Sequence, residues 1–252
     1  MGNSPGRVSH QPHRSAILAY HSLDTSRSVI SIAPEIFRRQ MECLAGNGVP
    51  VVPLAAVQKV PGSVALTFDD AYRNLCEHAL PELAQHGFPA TVFVVVGHCG
   101  GWNDWDQKGY QGIPRLPLMD WPELREMAAA GVELGGHSVR HPDLTVLPPD
   151  QVRREMQACR DEIEQKTGQP ARTFAYPYGL VTPPVRRIAA EYYEAACGTE
   201  LRFVAPGANP HELPRLDVYY LQNPRRFEEV VTGGGAAFIA FRRTLRRLRR
   251  IL

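Results

Sequence analysis

The chain has 252 residues, 44% of them hydrophobic, and a formal net charge of +2 at pH 7. This length suits either one large α/β barrel or two small domains, whereas no apolar stretch reaches the about 18 residues of a membrane-spanning helix. Apart from a basic C-terminal segment, the chain offers neither a basic aromatic surface nor a motif typical of nucleic-acid binding, so no nucleic-acid partner is expected.

The N-terminal residues 1–14 lack the continuous apolar core of a signal peptide and are expected to form a mobile tail. Five cysteines are scattered without Cys-x-x-Cys spacing, which is typical of reduced, mostly buried thiols. These features predict a cytoplasmic protein without a signal peptide or transmembrane segment, although a chain whose leader had been removed would look the same.

Eight strands are predicted from short apolar runs, with helical patterns between most of them. They lie near residues 15–20, 49–54, 63–69, 90–96, 131–136, 172–176, 194–198 and 213–220. Such alternation implies parallel strands joined by crossover helices, so the expected fold class is α/β, a distorted or incomplete TIM-like (β/α) barrel. Residues 15–232 are expected to form one catalytic domain with its chemistry at the carboxyl ends of the strands.

Two of the predicted helices have clear boundaries. The helix over 120–130 begins with Asp120, and Glu123 follows three residues later as in a capping box, with Pro122 tolerated in the first turn. The helix over 149–167 begins with prolines and ends before Gly168, because glycine commonly follows a helix C-terminus.

Phe68-Asp69-Asp70 places two adjacent carboxylates directly after the apolar run 64–67, where a buried strand is predicted to end. Such pairs also occur at ordinary turns and helix starts, where they accept backbone N–H bonds, so the pair alone is weak evidence for a site. In a hydrolytic metal site, however, one carboxylate binds the metal while its neighbour stays basic and takes a proton from water. On this interpretation Asp70 is a metal ligand and Asp69 is the general base.

The loop 97–106 is rich in glycine and contains Trp102, Asn103 and Trp105. Indole rings can stack on a sugar and an amide can hydrogen-bond its hydroxyls, so these three residues are candidate substrate contacts. A tryptophan can equally anchor a loop by burying its ring. His98 in the same loop is a weaker candidate for a general acid.

His137 and His141 supply two imidazoles four residues apart, after the strand predicted at 131–136. Read alone, this spacing is more typical of a surface loop than of a ligand pair. Together with Asp70, however, the two histidines complete a recurring ligand set for a divalent metal that activates water. Both segments follow predicted parallel strands and should therefore meet at one edge of the sheet. The sequence thus predicts a metal-dependent hydrolase.

A third segment, Tyr176-Pro177-Tyr178-Gly179, again follows an apolar strand with a turn. A turn of this kind can present a backbone N–H to the oxyanion that forms during amide hydrolysis. A simple strand-to-helix connection explains the segment equally well.

Residues 236–252 follow a glycine-rich hinge and repeat apolar residues at helical spacing beside six arginines. This pattern predicts a basic amphipathic C-terminal helix. Such a helix can lie on an anionic membrane surface, which would place the protein peripherally at the inner membrane face. Alternatively, it docks on the barrel through its Leu/Phe stripe and leaves the arginines in solvent.

Taken in order, Thr67-Phe68-Asp69-Asp70, His137-Ser138-x-x-His141 and Tyr176-Pro177-Tyr178-Gly179 resemble the motifs of the polysaccharide deacetylases, carbohydrate esterases that share the NodB homology domain. The similarity extends from about residue 17 to residue 218. It implies a fold of the incomplete-barrel type and an enzyme that acts on an N-acetylated glycan.

The resemblance also implies roles for individual residues. Asp69 would be the general base on metal-bound water. One divalent metal, with Zn²⁺ expected first and Co²⁺, Ni²⁺ or Mn²⁺ as alternatives, would be held by Asp70, His137 and His141. The Tyr178 backbone would contribute to the oxyanion hole while its ring lines the sugar groove, and Ser138 would brace the ligand loop.

Two positions depart from the pattern of the family. Many members carry an arginine two residues before the proline of the third motif, where this chain has Ala175, and Arg215 could supply that guanidinium from a later strand. Many also carry a late histidine as general acid, whereas no histidine follows His211. His21 resembles the Tyr-His near the start of poly-N-acetylglucosamine deacetylases and is the candidate replacement, unless a loop carbonyl merely satisfies it.

The expected function is metal-dependent hydrolysis of N-acetyl groups on a sugar or polysaccharide, in an exopolysaccharide pathway. An O-acetyl esterase or a non-sugar amidase would use the same groups. A further alternative is a catalytically silent carbohydrate-binding relative that has kept the scaffold. Ala175 and the absent late histidine favour this alternative, whereas the presence of the base and of all three ligands argues against it.

Overall fold

The computed structural model describes residues 14–105 and 112–249, so the predicted tail 1–14 lies, apart from its last residue, outside the described residues. The strands seen in this part of the chain are β1 (Ala16–Tyr20), β2 (Ser22–Leu23), β3 (Ser31–Ile32), β4 (Val64–Phe68), β5 (Ala90–Val94), β6 (Glu133–Gly136), β7 (Thr173–Ala175), β8 (Ala195–Cys197) and β9 (Leu216–Asp217). The α-helices are α1 (Pro34–Gly46), α2 (Asn74–His78), α3 (Leu80–His86), α4 (Trp121–Ala129), α5 (Pro149–Thr167), α6 (Pro183–Tyr192), α7 (Pro224–Val231) and α8 (Ala236–Arg249).

Seven of these strands form one parallel sheet in the order β8-β7-β6-β5-β4-β1-β9. The sheet curls into a half-barrel surrounded by helices. This confirms the predicted α/β class and the incomplete TIM-like barrel. Because all seven strands run in the same direction, their carboxyl ends meet at one edge of the sheet, where active sites of such folds are found.

The hydrophobic core lies on both faces of the sheet. Successive residues of β1 point to opposite faces, so Ile17 packs in one cluster with Ala65, whereas Leu18 packs in another on the helix side. Tyr20 stacks edge-on against Phe37 of α1, with ring centroids 5.3 Å apart. Every residue of β1 and β4 is buried, as in other parallel sheets that are covered on both faces.

The two helices with clear sequence boundaries form as predicted. Asp120 Oδ1 accepts a hydrogen bond from the Glu123 N–H at 2.9 Å, and the Glu123 carboxylate accepts one from the Asp120 N–H at 2.9 Å. These reciprocal bonds are the capping box that starts α4. Helix α5 ends at Gly168, whose φ of 72° lies in the left-handed region that glycine adopts without strain.

The strand predicted near 49–54 is wrong. Val51 makes only an isolated bridge with Val64, because Pro50 and Pro53 lack the N–H groups that a longer ladder needs. The last strand of the sheet is also shorter than predicted, covering two residues of the interval 213–220. Conversely, the sequence patterns did not predict the small parallel pair β2–β3, which lies next to the end of β1.

The C-terminal helix α8 docks on the half-barrel through only part of the predicted Leu/Phe stripe, because Phe238 packs against the core. Phe241 and Leu248 of that stripe are 60% and 53% exposed. Ile239 is buried, and the neighbouring Arg242 lies with its guanidinium 4.2 Å from the ring centroid of Tyr220. The prediction that α8 docks by the stripe with its arginines in solvent thus holds only in part, because one end of the stripe is exposed and Arg242 packs on the body.

All five cysteines are free thiols, two of them buried and three half-buried, in agreement with the sequence prediction. Burial raises the pKa of the Cys159 thiol to about 12, so this group is unreactive at neutral pH. Within the described ranges, no helix combines the length and the apolar character that spanning a membrane requires.

Candidate metal centre and active site

Most of the predicted site residues come together at the carboxyl edge of the sheet, where they follow the ends of several strands. His21 directly follows β1, Asp69 and Asp70 follow β4, and His137 directly follows β6. Tyr178 lies in the turn after β7. Parallel strands thus make neighbours of residues that are far apart in the chain.

Asp70, His137 and His141 form the candidate metal centre. All three are buried, and one ligand atom from each lies within 4.8 Å of the others. Asp70 Oδ1 is 3.4 Å from His137 Nε2 and 3.6 Å from His141 Nε2. Ligand bonds of about 2.0–2.2 Å in a tetrahedral arrangement would separate the ligand atoms by roughly 3.3–3.6 Å, which both distances from Asp70 match.

Unsatisfied polar atoms in this group also indicate a metal site. Asp70 Oδ1, which faces Nε2 of both histidines, is buried and has no hydrogen-bond partner among the described residues. His141 Nδ1 is also unpaired there, but an ion bound at Nε2 would not satisfy it. Leaving a buried polar atom unpaired costs about 1–3 kcal/mol, so native proteins usually satisfy it. His137 Nδ1, in contrast, lies 2.6 Å from the Ala175 carbonyl. Because a carbonyl only accepts, Nδ1 carries the proton and Nε2 can offer a lone pair to a metal.

The protonation of the group suits a cation. Burial and the neighbouring His137 lower the pKa of His141 to about 3, so its imidazole is neutral at pH 7. Burial alone would raise the pKa of Asp70, but the adjacent imidazoles outweigh burial and lower it. Burial likewise would lower the pKa of His137, yet the two aspartates beside it raise it. A bound cation would displace that proton, since a ligating imidazole is neutral.

Two polar side chains hold the loop that carries both histidines. Ser138 Oγ accepts a hydrogen bond from the His141 N–H at 2.9 Å, which braces the turn between the ligands. Glu155 of α5 is buried and accepts from the backbone N–H groups of Val139 and Arg140 at 2.8 and 3.1 Å. Sequence reasoning missed Glu155, although a glutamate on the inward face of an amphipathic helix indicates a buried partner.

Arg215 and Asp69 form a buried, bidentate ion pair. Arg215 Nη1 and Nη2 donate to Asp69 Oδ1 and Oδ2 at 2.6 and 2.7 Å, and Arg215 is only 1% exposed. Burial alone would raise the pKa of the Asp69 carboxyl, but the guanidinium outweighs burial and holds the pKa well below its usual range. Asp69 is therefore ionised and fixed in orientation.

Arg215 reaches Asp69 from the segment that precedes the edge strand β9. Its Nε donates to the Gly198 carbonyl at 2.9 Å and its Nη1 lies 3.3 Å from Thr67 Oγ1, so the whole guanidinium is held in place. Ala175 is buried and has no side chain that could reach a carboxylate. The guanidinium beside Asp69 thus comes from the later strand rather than from the position usual in the family.

His21 lies on the open side of Asp69. Its Nε2 is 3.7 Å from Asp69 Oδ2, beyond hydrogen-bonding distance, and its side chain is 26% exposed. No described residue makes a hydrogen bond with the ring, so the alternative in which a loop carbonyl satisfies His21 has no support in the described part of the chain.

Tyr178 forms part of the wall between the candidate metal centre and solvent. Its ring packs edge-on against His141, with centroids 4.5 Å apart, and the residue is 39% exposed. The next residue, Gly179, has a φ of 67°, and a Cβ added there would lie 2.1 Å from Thr199 Oγ1. The turn therefore needs glycine at this position.

Trp105 forms another part of this wall. Its ring stacks on His141, with centroids 4.8 Å apart and an interplanar angle of 26°. His98 packs edge-on against Trp105 at 4.9 Å. Trp102 lies further out and is 40% exposed, with the Arg115 guanidinium 4.5 Å from its ring centroid.

The structure does not support Asn103 as a substrate contact. Asn103 is 2% exposed, and its Nδ2 donates to Tyr72 Oη at 3.3 Å and to the Pro114 carbonyl at 3.0 Å. Its Oδ1 accepts from the Leu116 N–H at 2.7 Å. The amide therefore ties two segments of the loop together, a role that its sequence context does not distinguish from sugar binding.

The backbone of the site is strained at several positions. Five of the six described non-glycine residues with positive φ lie there, namely Asp70, Ala71, Ser138, His141 and Tyr178. This left-handed conformation costs a non-glycine residue roughly 1–2 kcal/mol. Strain of this kind persists where the surrounding structure imposes it, which is typical of functional sites.

Several known proteins have sequences similar to this chain. A family model described as polysaccharide deacetylase matches residues 56–194. The chain is 25% identical over 207 residues to the YxkH protein of Bacillus subtilis, which covers 79% of this chain and 67% of that protein. It is also 25% identical over 167 residues to the poly-beta-1,6-N-acetyl-D-glucosamine N-deacetylase of Staphylococcus aureus. That match covers 61% of this chain and 53% of the staphylococcal protein, so the chain spans about half the length of this relative.

Solved structures share the fold. The deacetylase PplD of Streptococcus pyogenes superposes with a TM-score of 0.74 at 22% identity, covering 88% of this chain and 99% of that chain. IcaB from Ammonifex degensii superposes with a TM-score of 0.72 at 24% identity, covering 88% and 97%. The segment matched by the family model makes up more than half of the chain and contains the Asp-Asp pair, both histidines and the Tyr178 turn. The chain therefore belongs to the polysaccharide deacetylase family.

Proposed function

We propose that this protein removes the acetyl group from the nitrogen of an N-acetylated sugar within a glycan. The observation that carries the proposal is the position of Asp69, an ionised and oriented carboxylate, beside the buried ligand group Asp70, His137 and His141. A base next to a metal centre is the arrangement that hydrolysis of an amide requires. The family and the similarity to a poly-beta-1,6-N-acetyl-D-glucosamine N-deacetylase support an N-acetylated glycan as substrate.

Asp70, His137 and His141 would hold one divalent metal. When bound, such an ion polarises a carbonyl and lowers the pKa of an adjacent water. Two imidazole nitrogens and one carboxylate oxygen suit Zn²⁺ first, with Co²⁺, Ni²⁺ and Mn²⁺ as alternatives.

Asp69 accepts a proton from the attacking water. Because Arg215 holds both carboxylate oxygens, Asp69 cannot rotate away, and only its remaining lone pairs face the open side of the site. The same guanidinium disfavours the protonated form of Asp69. The proton is therefore passed on rather than retained, which suits a group that must return to its ionised form in each cycle.

His21 and Tyr178 complete the proposed chemistry. His21 lies 3.7 Å from Asp69 Oδ2 and is partly exposed, so it can deliver a proton to the departing amine. The Tyr178 backbone N–H donates to the oxyanion as the acetyl carbon becomes tetrahedral. The exposed rings of Tyr178 and Trp102 and the half-buried ring of Trp105 line the path of the sugar.

Metal content and acetate release, measured on the same preparation, test this function. Wild type is compared with Asp69→Asn and with the control Asp161→Asn, which removes a half-exposed carboxylate on α5. β-1,6-linked N-acetylglucosamine oligomers serve as substrate. We expect near-stoichiometric metal in all three proteins and a loss of acetate release in Asp69→Asn alone, of about 10²–10⁴-fold. Failure to take up metal after reconstitution would remove the ligand assignment.

The same measurement separates the alternatives. Acetate release from O-acetylated sugars or from small amides, but not from the N-acetylated oligomers, would assign an esterase or a non-sugar amidase. Oligosaccharide binding without acetate release in metal-loaded protein would assign a silent relative. The guanidinium of Arg215 argues against that last outcome, because it replaces the arginine whose absence favoured it.

We also propose the domain boundaries of the chain and a contact with the membrane. We place the catalytic domain at 15–232 and the basic C-terminal helix at 236–252, in a cytoplasmic protein that contacts the membrane peripherally. The exposure of Phe241 and Leu248 supports such a contact. Co-sedimentation of the full chain with anionic vesicles should fall in the variant Phe241→Ser/Leu248→Ser, and unchanged binding would exclude the contact.

A further inference from the structure

A cavity of about 250 Å³ lies between helix α8 and the turn that carries Tyr178. Gly179 and Thr199 line it on the side of the candidate active site. Thr199 Oγ1 lies 3.5 Å from the Tyr178 carbonyl, and the Tyr178 ring contacts His141. The cavity and the candidate metal centre therefore share one turn of the chain.

Three arginines of α8, Arg243, Arg246 and Arg247, also line this cavity. Arg243 forms no ion pair with any residue in the described ranges. Arg246 Nη1 donates to the Thr199 carbonyl at 3.1 Å, and no carboxylate of the described residues pairs with it. Of the three, Arg247 alone forms an ion pair with a described residue, with 3.3 Å between its Nη2 and Glu200 Oε1.

The two carboxylates in the lining do not neutralise this charge. Glu200 pairs with Arg202 at 3.4 Å in addition to Arg247, and Glu212 pairs with Arg186. Arg202 and Arg186 are not part of the lining. An excess of positive charge thus remains on the α8 side of the cavity.

The arginine wall is held in position by the docking of α8. Arg242 packs over the ring of Tyr220, and Arg226 of α7 packs over the ring of Phe238 with 4.4 Å between its guanidinium and the ring centroid. Arg243 and Arg246 are half-buried, so they have lost part of their hydration without gaining a counter-ion. An oxyanion in the cavity would supply one, because guanidinium groups match carboxylates and phosphates in geometry and charge.

We propose that this cavity binds an anionic group of the glycan substrate, a carboxylate or a phosphate, beside the turn that it shares with the candidate metal centre. This inference rests on the proposed deacetylase function and names its substrate class as an acidic N-acetylated glycan. Leu180 and Val181 also line the cavity, and both are half-buried, so they offer some apolar surface to the carbon face of a sugar ring. In this arrangement the neutral sugar of the substrate contacts the aromatic rings of the active site. The anionic group of the substrate contacts the arginines of α8.

Isothermal titration of the metal-loaded full chain with two oligosaccharides tests this specificity. One is a tetramer of N-acetylglucosamine, and the other is a tetrasaccharide in which N-acetylglucosamine alternates with glucuronate. We expect the acidic probe to bind about tenfold more tightly at low salt, and this preference to weaken as salt is raised. In Arg243→Gln/Arg246→Gln the preference should disappear while binding of the neutral probe stays unchanged.

The matched control is Arg154→Gln/Arg225→Gln, which removes two charges from exposed arginines that form no ion pair with a described residue. This control should keep the preference. Because Arg246 also contacts the body of the protein, Arg243→Gln alone serves as a second variant, and thermal unfolding monitored by circular dichroism checks that both are folded. Equal affinity of wild type for the two probes, or an equal loss in the control, would overturn the proposal.

Two further outcomes distinguish the source of the anion and the proposed function. Binding of phosphatidylglycerol vesicles that the Arg243→Gln/Arg246→Gln variant loses, without discrimination between the oligosaccharides, would assign the cavity to a lipid headgroup and contradict the proposal. Arginine-dependent binding of the acidic probe without acetate release would support the anion site in the cavity. It would contradict only the proposed deacetylase function.

Discussion

At the amino edge of the sheet, turns that need a positive φ use glycine, as at Gly87 and Gly168, whereas at the carboxyl edge the same conformation falls on Asp70, His141 and Tyr178. Glycine adopts it without cost, but a residue with a Cβ loses roughly 1–2 kcal/mol. Five of the six described non-glycine residues that bear this cost lie where side chains converge on the candidate site. Backbone strain therefore separates the edge that connects elements from the edge that carries the candidate chemistry.

The two edges also treat a buried carboxylate differently. Asp69 at the carboxyl edge faces a guanidinium, which keeps its pKa low. Glu133, at the start of β6, accepts hydrogen bonds from Thr173 Oγ1 at 2.8 Å and Thr91 Oγ1 at 3.4 Å. Burial raises the pKa of Glu133, because hydroxyl groups compensate for the lost hydration only in part. A guanidinium beside a buried carboxylate thus lowers its pKa, whereas hydroxyl groups beside the half-buried Glu133 leave its pKa raised.

The largest effect is expected from removing that cation. Arg215→Met should lower the free energy of unfolding at pH 7 by about 3–5 kcal/mol, because it leaves Asp69 buried and unpaired. Urea unfolding measures this loss. Arg153→Met, which breaks an exposed pair with Glu191, is the control and should cost less than about 1 kcal/mol. Similar losses in the two variants would show that the buried pair contributes no more to the free energy of unfolding than the exposed pair.

Metal binding should come next in size. Zn²⁺ at 100 times its Kd should raise the free energy of unfolding by about 2.7 kcal/mol, since it binds only the folded chain. Unfolding with and without a chelator measures the increment. Asp70→Asn should abolish it and Glu133→Gln should keep it, because only the first changes the ligand group. An increment that survives in Asp70→Asn would place the ion elsewhere.

A smaller effect is expected from exchanging glycine and alanine at positions with a positive φ. Gly168→Ala should lower the free energy of unfolding by about 1 kcal/mol and leave acetate release unchanged, because a Cβ there meets no neighbour and only backbone strain is added. Ala71→Gly, at a φ of 58°, should relieve strain but reduce acetate release, because it loosens the residue next to Asp70. Urea unfolding and acetate assays distinguish these effects, and full activity of Ala71→Gly would argue that the strain has no function.

The smallest effect concerns pH. The raised pKa of Glu133 means that its contribution to stability is present below its unfolded pKa near 4.5 and is lost as pH rises through the folded value. Glu133→Gln should therefore gain stability relative to wild type between pH 4 and pH 7. Asp69 behaves oppositely, since its contribution is lost only as pH falls below its unfolded pKa of 3.8. Urea unfolding at several pH values checks the sign, and a pH-independent difference would contradict it.

The carboxyl edge could be predicted from sequence because its information is local. Asp69, Asp70 and His137 directly follow apolar runs, and parallel strands bring such positions together whatever the intervening loops do. The pairing of Asp69 with Arg215 needed more than periodicity, since nothing in the residues near Arg215 indicates its partner. The family resemblance supplied that expectation by identifying which guanidinium was missing.

Other features depend on contacts that a hydrophobic pattern does not encode. The pattern of α8 indicates which residues are apolar, but not that Arg242 would find a tyrosine ring and Arg246 a backbone carbonyl on the body. The amide of Asn103 could bind a sugar as far as the sequence shows, but in the structure it hydrogen-bonds within its own loop. The apolar run near 49–54 lacks a ladder because its prolines remove donors, which local hydrophobicity does not register.

The pairing of Asp69 with Arg215 also bears on the order in which the chain is made. The two residues are 146 positions apart in the chain. Arg215 directly precedes β9, which is the last strand of the sheet in chain order and pairs with β1. A ribosome that has released only the first four-fifths of the chain has produced the Asp-Asp pair and both histidines, but a base without its counter-ion. If the proposed function holds, chemistry would begin only once the final strand is in place, and a prematurely terminated chain would be inactive.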